Sequence, residues 1–211
     1  MTEAIRSLAA RYYTDPQVFK LETEGLLART WQFGCHGSEL AKIGDYATFE
    51  IAGESLFAIR GRDENIRVFY NVCQHRAHQL VSGTGTTRVI VCPYHAWTYE
   101  LTGELRAGPN INTVEGFDKS GICLTEVRAE EFLGFIFVNL DPESAPMEKW
   151  FPNARAELEE WVPNWVDLKP LEWVEIPEKC NWKVSVENYS ECYHCSLNHP
   201  TFANGVVKPE T

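Results

Sequence analysis

Two short cysteine–histidine motifs constrain the fold of this chain more than any other feature. The first is Cys73-Gln-His75, and after sixteen intervening residues comes the second, Cys92-Pro-Tyr-His95. Two thiolates and two imidazoles are the ligand set of a [2Fe–2S] cluster in which histidine replaces cysteine on one iron. If one cluster holds both motifs, the fold must bring two separate loops to the same place.

The same four side chains would also suit a structural zinc site of the Cys₂His₂ kind. Zinc motifs usually pair Cys with Cys and His with His along the chain, whereas the two residue types alternate here. The alternation favours the iron–sulfur cluster, and a zinc-stabilised structural module stays as an alternative.

A second histidine motif lies near the end of the sequence. His194 and His199 have four residues between them and follow Asn188 and Glu191. Two imidazoles and a carboxylate on one face of Fe(II) leave positions open for O₂ and water. A histidine pair alone is more often structural than metal-binding. Together with a one-electron cluster in the same chain, however, it indicates an oxygenase.

Composition excludes several classes of protein. The 211 residues are 44% hydrophobic and include seven Trp, which indicates a folded globular protein. A net charge of −11 makes nucleic acid or an anionic membrane an unexpected partner. Seven unevenly spaced cysteines indicate metal chemistry in a reducing compartment rather than a disulfide framework. The first eleven residues lack the apolar core of a signal peptide, so we expect a cytoplasmic protein.

The pattern of residues predicts an α+β protein with an all-β unit in its middle. Asp15 and Pro16 are a helix-start signal, and the sequence predicts a helix near 16–30. Short β-rich runs punctuated by glycines follow, namely Tyr46–Ile51, Ser55–Arg60, Ile66–Tyr70, Thr87–Val91, Trp97–Leu101 and Gly134–Leu140. Later segments predict a helix at Asn153–Val162, a strand at Leu171–Ile176 and a helix at Asn181–Cys192.

Three parts follow from this pattern. They are an N-terminal helical segment at 1–40, an all-β cluster domain at 41–150, and the start of a second domain at 151–211. The boundary rests on the change of composition after Asp141-Pro142.

Both cluster motifs, with their neighbours, resemble a known family. The stretches Asn71-Val-Cys-Gln-His-Arg-Ala-His78 and Cys92-Pro-Tyr-His-Ala-Trp-Thr-Tyr99 resemble the Rieske domain of the α subunits of Rieske-type non-haem iron oxygenases. More narrowly, they resemble the branch that acts on quaternary amines such as carnitine and glycine betaine. The similarity runs from about Trp31 to His199. Ala77 departs from the broader pattern, in which Gly usually follows the His-Arg pair.

This resemblance implies two metal centres. A Rieske [2Fe–2S] cluster would be bound by Cys73, His75, Cys92 and His95, and a mononuclear Fe(II) by His194 and His199. It also implies that 151–211 is the N-terminal part of a helix-grip-like α+β catalytic domain. The family's third iron ligand, an acidic residue, and most of its substrate pocket would then lie beyond Thr211, and we expect residues 1–211 alone to be inactive.

By the same resemblance, two polar residues would assist the iron. Glu191 stands where the family commonly has Asp, whose carboxylate joins an iron-ligand histidine to a cluster histidine of a neighbouring subunit in a trimer. Asn188 would be a further residue beside the iron. A solvated surface carboxylate is the alternative for Glu191. Cys192 and Cys195 form a C-x-x-C around His194, for which packing is favoured over a redox pair.

The resemblance also bears on the reduction potential. Respiratory-chain Rieske proteins join their cluster loops by a disulfide, whose positions correspond here to His78 and Tyr94, so no bridge can form. With Ala96 and Trp97 after the last ligand, hydroxyls that would hydrogen-bond the cluster sulfurs are expected to be largely missing. Both features predict a potential toward the low end of the Rieske range.

The expected function is that of the oxygenase component of a monooxygenase. Electrons from NAD(P)H would arrive through a flavin/iron–sulfur reductase, and the protein would be a homotrimer that hydroxylates a quaternary amine with O₂. No nucleic acid and no membrane is expected as a partner. One alternative is an aromatic-ring-hydroxylating dioxygenase α subunit. The other is a Rieske ferredoxin-type electron carrier, against which the His194/His199 pair argues.

Overall fold

The computed structural model describes residues 7–191 and 193–205. These residues form two compact units. The described residues up to Glu22, together with those from Val174 on, make one unit, and Thr23–Trp173 make the other. The domain limits expected from the sequence, 1–40, 41–150 and 151–211, stay a prediction.

The larger unit is built on two antiparallel sheets. The first has seven strands in the order β1-β10-β9-β4-β3-β2-β5, and the second has three in the order β6-β7-β8. The strands are β1 Gln32–His36, β2 Asp45–Ile51, β3 Glu54–Arg60, β4 Ile66–Tyr70, β5 Thr84–Thr86, β6 Ile90–Val91, β7 Thr98–Tyr99, β8 Leu105–Ala107, β9 Glu126–Phe132 and β10 Phe135–Asn139. The expected α+β class with an all-β cluster domain is confirmed.

Strand β3 is covered on both faces. Successive side chains of a strand point to opposite sides, so a strand between two cores shows an unbroken apolar run. Phe57 and Ile59 pack in a core that also holds both motif cysteines. Leu56 and Ala58 belong to a second core with strands β1, β9 and β10. The cluster motifs therefore lie against the best-buried part of the sheet.

Three differences from the expected strands have physical causes. Strand β9 was not predicted, because Glu126, Glu130 and Glu131 interrupt the alternation of apolar and polar residues that indicates a strand. Strand β1 lies within the segment expected to be helical. Leu171–Ile176 was predicted as a strand, which is wrong: its apolar side chains are exposed, Leu171 fully so, and it pairs with no strand among the described residues.

The helices are short. They are α1 Arg11–Thr14, α2 Pro16–Gly25, α3 Met147–Trp150, α4 Ala154–Trp161, α5 Trp182–Tyr189, α6 Cys195–Asn198 and α7 Pro200–Gly205. Helix α2 ends at Gly25, earlier than predicted, and a single 3₁₀ turn follows at Leu27–Arg29. Helix α5 begins where the side chain of Asn181 caps the backbone N–H of Lys183 at 3.1 Å. None of the described helices is long and apolar enough to cross a lipid bilayer.

A buried asparagine holds the loop that carries the first motif. Asn71, only 3% exposed, lies directly after β4. Its amide group donates to the carbonyl of Val81 at 2.8 Å, and its carbonyl accepts from the backbone N–H groups of Leu80 and Val81, each at 3.1 Å. The start and end of the loop are therefore joined by one side chain.

We expect Asn71→Ala to lower the free energy of unfolding by roughly 3 kcal/mol, because each buried polar group left unpaired costs about 1–3 kcal/mol. Urea denaturation followed by circular dichroism measures this change. Asn65→Ala, which removes an exposed amide bonded to the exposed Asp63, is the matched control and should cost much less. Equal losses in both variants would contradict the role of Asn71.

Candidate cluster and iron sites

The two cysteine–histidine loops share one backbone pattern. The N–H of Cys73 donates to the carbonyl of His78 at 2.8 Å, and the carbonyl of Cys73 accepts from Ala77 at 2.9 Å. In the second loop, Cys92 makes the same two hydrogen bonds with Trp97 and Ala96, at 2.8 and 2.9 Å. Each cysteine is thus fixed at the base of a six-residue turn, and the loops form a matched pair.

Both turns contain an alanine in the left-handed conformation. The φ angles are 52° at Ala77 and 56° at Ala96. An L-residue with a Cβ pays about 1–2 kcal/mol for this conformation, whereas Gly does not. The need for a left-handed residue is the physical reason that Gly suits this position, and it identifies Ala77 as a tolerated but strained substitute.

The four candidate cluster ligands divide into a buried pair and a surface pair. Cys73 and Cys92 are each 2% exposed, whereas the rings of His75 and His95 lie near the surface with centroids 4.7 Å apart. The pKa of His95 is lowered, first by desolvation and then by its neighbours His75, Arg76 and His78. A lowered pKa favours the neutral imidazole, which is the form that binds iron.

The donor set fits a two-iron cluster. Within the described ranges, no three His, Cys, Asp or Glu side chains are gathered closely enough to hold one ion. A single tetrahedral zinc would need all four ligands around one point, whereas a Rieske cluster needs two thiolates on one iron and two imidazoles on the other. The pairing of buried sulfurs and surface imidazoles matches the second requirement.

Aromatic side chains surround the two imidazoles. The ring of Trp97 stacks on His75, with ring centroids 4.7 Å apart and 14° between the ring planes. The ring centroids of Tyr94 and His95 are 3.8 Å apart. These four residues, with Phe117 and others, line an open pocket of about 530 Å³. His78 and Tyr94, the expected disulfide positions, face each other with ring centroids 5.4 Å apart.

One hydroxyl reaches the sulfur of a candidate cluster ligand, whereas such groups were expected to be largely missing. The hydroxyl of Tyr99 lies 3.2 Å from Sγ of Cys73 and accepts the backbone N–H of Gln74 at 3.1 Å. Because it accepts from Gln74, its own proton is available to a thiolate. Burial first, and then the bond to Cys73, raise the pKa of Tyr99. Tyr99 lies outside both motifs and reaches Cys73 only through the β6–β7 hairpin.

We expect Tyr99→Phe to lower the reduction potential of the cluster, because a hydrogen bond to a ligand sulfur stabilises the reduced, more negative state. A change on the order of tens of millivolts is expected. Protein-film voltammetry measures it, with Tyr94→Phe, which removes a surface hydroxyl beside the cluster, as the control. An unchanged or raised potential in Tyr99→Phe would contradict the assignment.

The histidine pair of the smaller unit lies at both ends of helix α6. His194 precedes the helix, and His199 follows it with its N–H bonded to the carbonyl of Cys195 at 2.8 Å. The ring centroids are 5.5 Å apart, and the planes differ by 79°. A pocket of about 510 Å³ adjoins them, lined by Asn188, Tyr189, Glu191, His194, Cys195, His199 and Phe202. Cys195 is buried, whereas Cys192, the other half of the predicted C-x-x-C, lies outside the described residues.

Glu191 orients the first of these histidines. One carboxylate oxygen lies 2.7 Å from Nδ1 of His194, and the other accepts the backbone N–H of Tyr193. The bond to His194, and then that to Tyr193, lower the pKa of Glu191. Because an ionised carboxylate only accepts, Nδ1 of His194 is the donor, an arrangement that directs Nε2 toward a metal.

The described residues therefore offer an iron site two imidazoles, with the nearby carboxylate already engaged. This set fits the expected mononuclear Fe(II) in part, since a facial triad needs one further carboxylate. Asn188 lines the pocket, as predicted for a residue beside the iron, but its role stays a prediction, as do the ligand roles assigned to both sites.

Comparison with known proteins agrees with this geometry. A family model described as the Rieske [2Fe-2S] domain matches residues 30–118, and one described as the ring-hydroxylating alpha subunit (catalytic domain) matches residues 165–209. Two separate segments of the chain are thus similar to the two domains of such an alpha subunit, in the same order. The resemblance stated from the motifs is confirmed.

The relatives span two reaction types. The chain is 45% identical over 201 residues to the carnitine monooxygenase oxygenase subunit of Escherichia coli (strain K12), covering 95% of this chain and 54% of that protein. It is 34% identical over 204 residues to the 2-aminobenzenesulfonate 2,3-dioxygenase subunit alpha of Alcaligenes sp, covering 95% and 52%. The chain thus spans about half the length of the curated relatives it matches.

Similar solved structures also include a monooxygenase and a dioxygenase. The quaternary ammonium Rieske monooxygenase CntA in complex with L-carnitine superposes with a TM-score of 0.88 at 43% identity, covering 93% of this chain and 56% of that one. A naphthalene 1,2-dioxygenase with bound indole superposes with a TM-score of 0.78 at 33% identity, covering 91% and 44%. The fold is therefore shared by both classes, and the higher similarity is to the monooxygenase.

Proposed function

We propose that this chain is part of the oxygenase component of a Rieske non-haem iron monooxygenase that acts on a quaternary amine. The reaction would hydroxylate a C–H bond beside the quaternary nitrogen, and the carbinolamine would then collapse with cleavage of the C–N bond. The observation that carries the proposal is the presence of two matched cysteine–histidine loops and a carboxylate-oriented histidine pair in one chain.

The motif spacing and the geometry of each site support one set of metal ligands. Cys73, Cys92, His75 and His95 would hold a [2Fe–2S] cluster, and His194 and His199 two positions of a mononuclear Fe(II). When bound, the cluster would supply single electrons and the mononuclear iron would activate O₂. The third carboxylate of that site is not among the described residues.

The chain's own side chains would prepare both sites. Tyr99 would donate to the sulfur of Cys73, and Trp97 would shield one face of His75 from water. Glu191 would keep the proton of His194 on Nδ1, so that Nε2 faces the metal. Asn188 would present an amide to the pocket of the histidine pair.

The partners belong to the proposal as well. NAD(P)H-derived electrons would reach the cluster through a flavin/iron–sulfur reductase. The assembly would be a homotrimer. A CntA structure that gives insight into inter-subunit electron transfer supports an assembly of more than one copy. The cytoplasmic location and the lack of nucleic-acid or membrane partners stay predictions.

An aromatic-ring dioxygenase is the second candidate function. The Alcaligenes dioxygenase subunit at 34% identity supports it, whereas 45% identity to a carnitine monooxygenase supports the quaternary amine. The glycine betaine monooxygenase oxygenase subunit of Chromohalobacter salexigens, 34% identical over 206 residues, also favours the amine.

The test compares iron content and substrate dependence in the intact protein. We expect three irons per chain, with two lost in Cys92→Ala and one lost in His199→Ala. Oxygen uptake with a reductase should depend on carnitine or glycine betaine and should release an aldehyde and a tertiary amine in equal amounts. Two irons and no uptake would indicate an electron carrier. Uptake with an aromatic substrate only would indicate the dioxygenase.

The role of Glu191 has its own test. Glu191→Gln should keep both metals but slow the oxidation of a pre-reduced cluster in a single turnover with substrate and O₂, because a neutral amide binds the imidazole more weakly than a carboxylate does. We expect a fall of at least roughly tenfold, the size of effect seen when partners of metal-ligating histidines are lost. Glu175→Gln, which neutralises an exposed carboxylate of the same unit, is the matched control. An unchanged rate would make Glu191 a surface carboxylate.

A further inference from the structure

A partly buried ion pair joins the two ends of the sequence within the smaller unit. Both carboxylate oxygens of Glu22 in α2 lie 2.7 Å from Nζ of Lys183 in α5. The side chains are only 18% and 11% exposed. One oxygen of Glu22 also accepts the indole N–H of Trp182 at 3.0 Å. One carboxylate thus fixes two neighbouring side chains at the start of α5.

A second contact holds the same face of α5 one turn later. The hydroxyl of Tyr13 in α1 donates to a carboxylate oxygen of Glu187 at 2.6 Å. Nζ of Lys183 also lies 5.6 Å from the centroid of the Tyr13 ring. Because Lys183 and Glu187 are four residues apart, they lie on one side of the helix. The N-terminal segment therefore holds α5 at two points.

The other side of α5 faces the histidine pair. Asn188 and Tyr189 lie roughly 140° and 240° around the helix from Lys183. Both line the pocket that contains His194 and His199. The helix ends at Tyr189, and Glu191 follows two residues later to bind Nδ1 of His194. A rotation or slide of α5 would therefore move the carboxylate that orients His194.

We propose that Tyr13 and Glu22 are positioning residues for the mononuclear iron site and act through helix α5. The contacts of Tyr13 with Glu187, and of Glu22 with Trp182 and Lys183, are called the N-terminal clamp. The clamp sets the rotation of α5 and its position along the helix axis, and thereby the bond between Glu191 and His194. The inference rests on the proposed role of His194 and His199 as iron ligands. It assigns a function to an N-terminal segment that lies far from both metal motifs in the sequence.

The clamp has the physical character that positioning requires. An ion pair with little exposure is directional and weakly screened by salt, and both oxygens of Glu22 are engaged. The bond with Lys183 is the largest cause that lowers the pKa of Glu22, with the Trp182 bond adding to it. The carboxylate therefore stays ionised at neutral pH, and the clamp is closed whenever the unit is folded.

The experiment uses Tyr13→Phe and Glu22→Gln in the intact protein. We expect the dissociation constant for Fe(II), measured by reconstitution of iron-free protein, to rise roughly fivefold, the equivalent of one hydrogen bond. The EPR spectrum of the Fe(II)–nitric oxide adduct should broaden as the histidines lose a single orientation. The EPR spectrum and potential of the reduced cluster should not change.

The matched control is Asp63→Asn, which breaks a two-point ion pair of similar length in the larger unit. Arg67 bonds both oxygens of Asp63 at 2.9 and 2.7 Å. This variant should leave the Fe(II) dissociation constant unchanged. If Tyr13→Phe and Glu22→Gln lowered the melting temperature but left the Fe(II) affinity and the nitric oxide spectrum as in the wild type, the clamp would be structural only, and the proposal would be overturned.

A measurement without metal separates this inference from the proposed function. In iron-free protein, hydrogen–deuterium exchange of the amides at 193–199 should be faster in both clamp variants than in the wild type and in Asp63→Asn. In the two clamp variants, exchange in the larger unit should match the wild type. If His199→Ala removed no iron, the proposed function would fail, and this comparison would still decide whether the clamp orders the histidine pair. Equal exchange in all variants would overturn the clamp.

Discussion

The convergence of two loops on the buried face of one sheet is the constraint on which the rest of the larger unit depends. Phe57 and Phe69 form the floor of this site and pack with Cys73, Cys92 and Tyr99 in one core. A core of this kind is closely packed and resists rearrangement. The sulfurs are therefore held in place by the packing of this core.

The same arrangement separates the two chemical tasks of the cluster site. The thiols lie in the core beside Tyr99, where desolvation strengthens each hydrogen bond. The imidazoles lie near the surface beside Trp97 and Tyr94, where an electron would enter or leave without crossing the core. In the proposed cluster, the reduction potential would thus be set from the buried side. The hydroxyl of Tyr99 at Cys73 would offset part of the lowering expected from the missing disulfide.

The sequence predicted the chemistry of the sites better than the elements that support them. The motif spacing identified the candidate ligands, and the apolar runs identified the central strands. Both signals are local in the sequence. Tyr99 was missed because its contact with Cys73 exists only after β6 and β7 pair. Strand β9 was missed because the charged residues of its exposed face make the segment polar overall. Leu171–Ile176 was predicted as a strand because an apolar run shows β-propensity but not whether a partner strand is present.

The two candidate sites depend on the chain in different ways. The cluster site is built from one continuous stretch, in which Asn71 closes the first loop and a hairpin forms the second. In the histidine pair, the side chain of His194 is bound locally by Glu191, and the helix that precedes the pair is held by Glu22, about 160 positions earlier. Such a contact carries a large loop-closure entropy, so it forms only when the surrounding unit is folded. The oxygen-activating site that we propose therefore depends on a contact between distant parts of the sequence, whereas the proposed electron-carrying site takes its ligands from one continuous stretch that packs in the core.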